Sequence, residues 1–259
     1  MADRRKALGI VADGNQETDR QFMDKNNVNG MLKDVLTKLI ANRPDDPIRF
    51  IANYFETINL EDQSNDLIAR VVQIINLTHH SRPVFETNIM AAYDLLNNHK
   101  ISKKIHGVNG TVHSQLLQSL CTEIPLPVTV KLFKKIGCAE HEAVPYDVFR
   151  STVFTCCVLK DYVGMTGNLF NILDVRKTGK VDKVLCESTL EQLNTALASS
   201  QKDVKRIMES SYHLGPESLF KALDKALSKS HTKLSGVFTR DQFVIEACEC
   251  FLAKVKKLK

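Results

Sequence analysis

The stretch from residue 28 to residue 56 constrains the fold more than any other, because prolines divide it into two short helices. Apolar residues recur at helical spacing up to Pro44, and a proline disfavours the helical conformation of the residue before it. Asp46 and Pro47 then provide a helix N-cap and a proline suited to the first helical position. The stretch therefore predicts a two-helix hairpin over residues 28–58.

The predicted hairpin has more apolar surface than its two helices can cover by themselves. Phe50 and Tyr54 widen the apolar face of the second helix beyond a single stripe. A unit of fewer than roughly 40 residues rarely folds alone, so this surface needs a second copy, another protein or the rest of the chain. The apolar stripes consist of Leu32, Val35, Leu36, Leu39 and Ile40 in the first helix, and of Ile48, Ile51, Ala52 and Phe55 in the second.

The hairpin resembles the dimerisation/docking module of protein kinase A regulatory subunits. The likeness lies in the leucine-striped helix, Arg43-Pro44, Asp46-Pro47 and the apolar run at 50–55. In that family two hairpins form an antiparallel four-helix bundle, and a groove across the bundle binds an amphipathic helix. An ordinary hairpin that packs on the main domain is the alternative. The resemblance implies that the dimer core or docking groove is lined by Leu32, Val35, Leu36, Leu39, Ile48, Ile51 and Phe55.

The composition is that of an ordinary soluble globular protein, with 43% hydrophobic and 25% charged residues. No apolar run reaches about 18 residues, so no membrane span is expected. Residues 1–20 are polar and lack the apolar core of a signal peptide, which predicts a disordered N-terminus. The cysteine count of seven, odd and without a secretory signal, indicates free thiols in a reducing compartment and hence the cytoplasm.

From residue 62 onward the chain is predicted to be almost continuous helix, interrupted by short Gly, Pro and Asn punctuation. No stretch alternates with a period of two between hairpin turns, so no sheet of any size is expected. The predicted fold class is all-α: the hairpin, a multi-helix scaffold domain over residues 62–255, and a basic tail at 254–259. Helices are predicted at about 67–78, 85–96, 112–123, 126–136, 145–163, 165–173, 182–198, 201–212, 216–229 and 239–255.

Four loops fit a degenerate form of the 12-residue EF-hand frame, at 105–116, 137–148, 174–185 and 231–242. The best of them, 174–185, has glycine sixth and an apolar residue eighth. Calcium requires acidic oxygens at positions 1, 3, 5 and 12, and no frame has an acid at position 12. The pattern predicts EF-hand-like helix–loop–helix pairs that bind no calcium, although helix–loop–helix pairs of no particular lineage fit equally well. The twelfth residues are Leu116, Val148, Leu185 and Gln242.

No catalytic or cofactor-binding constellation is visible in the sequence. The nearest approach to a phosphate loop, residues 178–181, lacks both the first glycine and the Ser/Thr of that motif. Cys138 and His141 form half of a zinc site without a second half. His79 and His80 end a helix, where cationic histidines suit the helix dipole. We therefore expect no catalytic residue, no metal and no cofactor.

The chain ends in a basic tail, and its net charge is +5. A cluster of lysines without an acid suits an acidic partner, whether an acidic protein tail, a phosphoinositide surface or nucleic acid. A solvated helix end is the alternative, because lysines also favour the negative end of the helix dipole. The lysines concerned are Lys254, Lys256, Lys257 and Lys259.

A second resemblance covers most of the chain after its first twenty residues. Several motifs are similar, in order, to the subunit 1 family of the tubulin polyglutamylase complex, and none of them is a catalytic motif. They are ANRPDDP at 41–47, HHS at 79–81, CAEHEAVP at 138–145, VFR at 148–150, TC at 155–156, VL at 158–159, GNLF at 167–170, LGPESL at 214–219 and FLAKVK at 251–256.

This second resemblance implies a non-catalytic scaffold that assembles a tubulin tyrosine ligase-like glutamylase and localises it on microtubules. The implied partners are that catalytic subunit, the other subunits of the complex and tubulin, with a homodimer or heterodimer through the hairpin and no nucleic acid. The implied locations are the cytoskeleton, the centrosome, the cilium basal body and the axoneme. The alternatives are a kinase-anchoring or cilium adaptor that binds an amphipathic helix, and a helical enzyme with an unrecognised active site.

Overall fold

The computed structural model describes residues 18–44, 46–63, 67–98, 107–199, 224 and 236–258. Helices dominate these residues, which confirms the all-α fold class. None of the described helices is both long and apolar enough to cross a membrane. The chain divides into two compact units, residues 1–55 and 56–259. The predicted helices at 201–212 and 216–229 lie outside the described residues.

The first unit contains α1 (Asp19–Lys25), α2 (Val28–Asn42) and the start of α3 (Pro47–Gln63). A capping box opens α1, in which the side chains of Thr18 and Gln21 each hydrogen-bond to the backbone of the other residue. The prediction of a disordered N-terminus is therefore wrong for residues 18–20. Residues 1–17 lie outside the described part of the chain.

The turn between α2 and α3 ends one helix and begins the next, as its sequence predicts. Arg43 follows α2 with a left-handed backbone conformation, φ 44°. Asp46 Oδ1 accepts a hydrogen bond from the backbone N–H of Arg49 at 2.9 Å, and Pro47 is the first residue of α3. Because α3 continues beyond residue 58, the second helix is longer than the predicted hairpin.

The second unit is built around one long helix, α8 (Tyr146–Leu173). This helix packs against α5 (Val84–Asn98), α6 (Gly110–Leu120) and α10 (Arg240–Lys254). The Tyr162 hydroxyl donates a buried hydrogen bond to Ala247 O of α10 at 3.0 Å. Ile89, Phe149 and Phe251 are completely buried in the shared core. The helices of this unit are α4 (Leu67–Ile75), α5 (Val84–Asn98), α6 (Gly110–Leu120), α7 (Leu126–Ile136), α8 (Tyr146–Leu173), α9 (Lys183–Ser199) and α10 (Arg240–Lys254).

Helix α8 corrects the prediction of two helices at 145–163 and 165–173. Gly164 lies inside one continuous helix, although a glycine there costs about 1 kcal/mol relative to alanine. Burial of Tyr162 and Phe170 on either side outweighs that cost, because burying one large apolar side chain contributes about 1.5–3 kcal/mol.

Two short antiparallel ladders of two or three residues per strand connect the loops in pairs, which agrees with the expectation of no sizeable sheet. They are β1 (Val108–Asn109) with β2 (Ala143–Val144), and β3 (Lys180–Asp182) with β4 (Val237–Thr239). Val144 faces Val108, and Val181 faces Phe238. Val144, Val181 and Phe238 are each the eighth residue of a predicted loop frame. The two helix–loop–helix pairs are thus joined through their loops, while an EF-hand lineage stays a prediction.

The first loop frame is misplaced by four residues. It puts Val112 at the eighth position, but Val112 lies inside α6 and the paired residue is Val108. The physical reason is the helix cap at Asn109, whose side-chain oxygen accepts a hydrogen bond from Thr111 N at 2.8 Å. The cap starts α6 at Gly110, so that this glycine is not a loop residue.

The last residues of the chain are fixed to α7. Lys135 Nζ donates to the backbone oxygens of Leu252 at 2.7 Å and of Val255 at 3.2 Å. In return, the backbone N–H of Leu258 donates to Lys135 O at 2.8 Å. Val255 is only 5% exposed. Residues 255–258 are therefore held against the second unit, while Lys259 lies outside the described residues.

Candidate functional site

The apolar stripe of α2 is divided into a buried part and an exposed part. Val35 is 2% exposed, so its side chain has no surface left for a partner. Leu32, Leu36 and Ile40 are 43%, 51% and 69% exposed, and they recur every four residues along one side of the helix. Ile48 in the first turn of α3 is 76% exposed. We call Leu32, Leu36, Ile40 and Ile48 the exposed apolar set.

The remaining predicted partner-binding residues, Leu39, Ile51 and Phe55, are half-buried. Phe50 and Tyr54, which the sequence assigns to the surplus surface, are instead buried at 5% and 6% exposure. Of the seven side chains predicted to meet a partner, Val35 is the one whose burial contradicts the prediction.

A polar network fixes α2 to α3 beside the exposed apolar set. The Tyr54 hydroxyl donates to Asp34 Oδ2 at 2.5 Å, and Lys38 Nζ lies 2.8 Å from the same oxygen. Lys38 Nζ also lies 5.0 Å from the centre of the Tyr54 ring. The hydrogen bonds from Lys38 and Tyr54 lower the pKa of Asp34. The hairpin therefore carries its exposed leucines on helices that are already connected to each other.

A second surface, the basic groove, lies in the second unit and has a volume of about 790 Å³. Its walls come from residues 80–83, from α8 between residues 150 and 155, and from residues 254–258. Glu86 is the one carboxylate among the described residues that line it, and Arg150 Nη1 pairs with Glu86 Oε1 at 3.0 Å. The basic residues of the groove are Arg82, Arg150, Lys254, Lys256 and Lys257.

Three of the four lysines of the predicted basic tail thus line a groove, in which Lys256 and Lys257 remain exposed and Lys254 is half-buried. Sequence reasoning identified Lys254, Lys256 and Lys257, but it missed Arg82 and Arg150. These arginines are far from the lysines in the chain, and no local pattern connects the three segments. A basic groove of this kind can bind a ligand with several negative charges.

The loop that carries Arg82 is held to α8 by a histidine–aspartate cluster. The Nε2 atoms of His79 and His80 lie 2.5 Å and 2.8 Å from the same oxygen, Asp161 Oδ2. His79 Nδ1 lies 2.7 Å from the hydroxyl of Ser81. Burial raises the pKa of Asp161, but the hydrogen bonds and charges of His80 and His79 together outweigh it and lower the pKa. The cluster positions one wall of the basic groove.

The sequence explains His79 and His80 as the end of a helix, and the structure corrects this explanation. Both residues follow α4 in a turn, and their partner Asp161 is 82 residues away from His79. One nitrogen of each histidine and one oxygen of Asp161 lie within 4.8 Å of one another, the one such group of His, Cys, Asp and Glu residues in the described part of the chain. Each histidine contacts Asp161 Oδ2 through its Nε2 atom.

The best of the degenerate loops already uses the acidic residue at its first position, Asp174, for its own hydrogen bonds. Asp174 accepts hydrogen bonds from Thr178 N at 3.0 Å and from Gly179 N at 2.6 Å. These backbone hydrogen bonds lower the pKa of Asp174. The carboxylate therefore closes the loop on itself, and Leu185 occupies the position where calcium requires an acid.

The thiols and the buried histidine are structural groups. All seven cysteines are free, and desolvation raises the pKa of Cys157 and of Cys186 to about 12. His113 is fully buried, with Nε2 2.8 Å from Thr152 Oγ1 and no partner for Nδ1. Desolvation lowers the pKa of His113 to about 4. The Thr152 hydroxyl has its proton directed at backbone carbonyls of α8, so His113 donates from Nε2.

The described residues thus define an all-α protein that carries an exposed apolar set and a basic groove. Comparison with known proteins narrows this class. A family model described as "Tubulin polyglutamylase complex subunit 1-like, C-terminal" matches residues 62–256. Human tubulin polyglutamylase complex subunit 1 is 34% identical over 263 residues, covering 95% of this chain and 90% of the human protein. The chain belongs to the tubulin polyglutamylase complex subunit 1 family, which confirms the resemblance seen in its motifs. No solved structure matches it.

Proposed function

We propose that this chain is a non-catalytic scaffold and targeting subunit of a tubulin polyglutamylase complex. In this role it assembles a tubulin tyrosine ligase-like glutamylase with the other subunits and places the enzyme on microtubules. The family supports participation in polyglutamylation. The division of labour between this chain and the catalytic subunit is the part that we propose.

The observation that carries the proposal is the exposed apolar set of the first unit. Leucine and isoleucine side chains at 43–76% exposure on one hairpin favour a protein-interaction site, because covering them removes apolar surface from water at about 25 cal/mol per Å². Their partner is either a second copy of the hairpin or a helix of another subunit. Assembly then raises the rate of glutamylation through proximity, since the catalytic subunit is held beside its substrate.

Targeting is assigned to the basic end of the chain. Lys254, Lys256, Lys257 and Lys259 would meet the acidic tails of tubulin, an attraction between exposed charges that salt weakens. The expected locations are the cytoplasmic cytoskeleton, the centrosome, the cilium basal body and the axoneme.

Co-purification of the tagged full chain from ciliated cells, with mass spectrometry at low and at high salt, tests the proposal. We expect a tubulin tyrosine ligase-like subunit and sister scaffold subunits to remain bound at high salt, because apolar contacts are not screened. Recovery of a kinase-anchoring protein without any ligase-like subunit would instead support the adaptor alternative and contradict the proposal. Tubulin is expected mainly in the low-salt sample.

A further inference from the structure

We infer that the basic groove is a binding site for a glutamate-rich peptide segment, which enters the groove and does not merely touch a lysine tail. Among the described residues, five basic side chains from three separate segments line the groove, against one carboxylate. That carboxylate, Glu86, is already paired with Arg150 at 3.0 Å. The surplus of positive charge in one concave site is complementary to a ligand with several carboxylates.

The dimensions of the groove favour a peptide segment over a flat surface. Its volume of about 790 Å³ lies within the range of roughly 300–1,000 Å³ that ligand pockets occupy. The site is recessed between α8 and two other segments of the second unit. An extended peptide can enter such a site and distribute its carboxylates among separate basic groups.

The groove also has apolar wall residues. Phe154, Val255 and Leu258 line it together with the arginines and lysines, and Val255 is almost fully buried. Apolar walls exclude water and lower the local dielectric, which strengthens the attraction between a carboxylate and a guanidinium. They also suit the methylene groups of glutamate side chains.

The walls of the groove are fixed before any ligand arrives. Lys135 holds the backbone of residues 252–258 through three hydrogen bonds of 2.7–3.2 Å. On the other wall, Asp161 holds the loop before Arg82 through His80 Nε2 at 2.8 Å. A site whose segments are already ordered loses less conformational entropy on binding than a flexible tail does.

Peptide binding by the groove can be measured on this chain alone, whereas the identity of the natural peptide rests on the proposed function. Fluorescence anisotropy of the purified full chain with a labelled oligoglutamate peptide therefore tests the inference separately. A peptide with glutamine at every glutamate position is the charge control. We expect the glutamate peptide to bind in low salt and the glutamine peptide to bind at least about tenfold more weakly.

Variants of the two walls distinguish the groove from a solvated lysine tail. Arg150→Gln and the double variant Lys256→Gln/Lys257→Gln should each weaken peptide binding several-fold, because both walls contact the ligand. Lys177→Gln/Lys180→Gln, which removes two exposed lysines outside the groove, should leave binding unchanged. If only the lysine variant at 256 and 257 weakens binding, the groove is not the site and the inference is wrong.

One variant should strengthen binding, which misfolding cannot imitate. Glu86→Gln removes a carboxylate that lines the groove and releases Arg150, so we expect the affinity for the glutamate peptide to rise about two- to fivefold. Glu123→Gln is the matched control, because Glu123 is also exposed and forms an ion pair, with Lys160 at 3.0 Å, but does not line the groove. Equal responses of the two variants would contradict the inference.

Anionic vesicles that contain a phosphoinositide form the last arm of the experiment. Stronger binding of the chain to vesicles than to the peptide, lost in Arg150→Gln, would overturn the assignment of a peptide ligand in favour of a membrane. Failure of every peptide to bind, with the ligase-like subunit still co-purifying, would refute this site and leave the proposed function intact.

Discussion

Leu36→Asp should separate assembly from folding in the first unit. Leu36 is 51% exposed, whereas its neighbour Val35 is 2% exposed. In the free chain the new carboxylate at position 36 stays in water, so the free energy of unfolding should fall by less than about 1 kcal/mol, mostly from the lower helix propensity of aspartate. Val35→Asp places the same carboxylate in a buried position and should unfold the hairpin, at a cost of several kcal/mol.

The effect on association follows from the same exposures. Covering a half-exposed leucine contributes about 1 kcal/mol, which is half of the roughly 1.5–3 kcal/mol for complete burial. Leaving an aspartate unpaired in that interface costs a further 2–3 kcal/mol or so. A loss of about 3–4 kcal/mol in all weakens association by roughly two to three orders of magnitude, since each 1.4 kcal/mol is a factor of ten.

Sedimentation velocity and co-purification of the full chain measure this prediction. Ala41→Asp is the matched control, because Ala41 is exposed and lies nine residues, or about two and a half turns, from Leu32 on the opposite side of α2. We expect Leu36→Asp and Ile51→Asp to lose self-association or complex assembly, and Ala41→Asp to keep it. Unchanged sedimentation and co-purification of both interface variants would refute the docking assignment.

Three further predictions concern the second unit. Calorimetry should detect no stoichiometric micromolar calcium binding, because Asp174 is used by its own loop and no frame ends in an acid; a clear binding isotherm would contradict this. His113, with its pKa lowered from 6.5 to about 4, gains no proton in the folded state as the unfolded state becomes protonated. The contribution of His113 to the free energy of unfolding is therefore complete above pH 6.5, and it falls by about 3 kcal/mol as the pH drops to 4. Urea unfolding of His113→Gln should lack this pH dependence. In thermal unfolding, Gly164→Ala should stabilise α8 by about 0.5–1 kcal/mol, because a Cβ there meets nothing within 4 Å. Gly107→Ala should destabilise by about 1–3 kcal/mol, because φ is +132° and the Cβ would lie 2.6 Å from a backbone oxygen. The same sign for both glycine variants would refute the reasoning.

The parts of the fold that the sequence predicts correctly are those that depend on neighbouring residues. The Asp46–Pro47 helix start is local chemistry, because both the cap and the fixed φ of proline lie within one turn. The helical periodicity of the second unit is likewise readable along the chain. The prediction of a helix boundary at Gly164 is wrong because burial of α8 in the core keeps the helix continuous there. A single glycine in the sequence carries no information about that burial.

The parts of the site that the sequence does not predict depend on distant residues. Arg82, Arg150 and Lys256 form one groove only after α8 and the end of the chain have packed. His79 and Asp161 are separated by 82 residues, so their contact leaves no spacing pattern. The apolar stripe of α2 was visible, but its division into buried Val35 and exposed Leu36 depends on how α2 packs, which periodicity does not specify.

Glutamate incorporation into microtubules tests the central claim most directly. The ligase-like subunit and its partners would be reconstituted with and without this chain, and the isolated chain would be assayed with ATP, glutamate and microtubules. We predict no incorporation by the isolated chain and a marked rise when it joins the other subunits, with Leu36→Asp abolishing the rise. Incorporation of glutamate by the chain alone, or a complex that is equally active without it, would contradict the assignment as a non-catalytic scaffold.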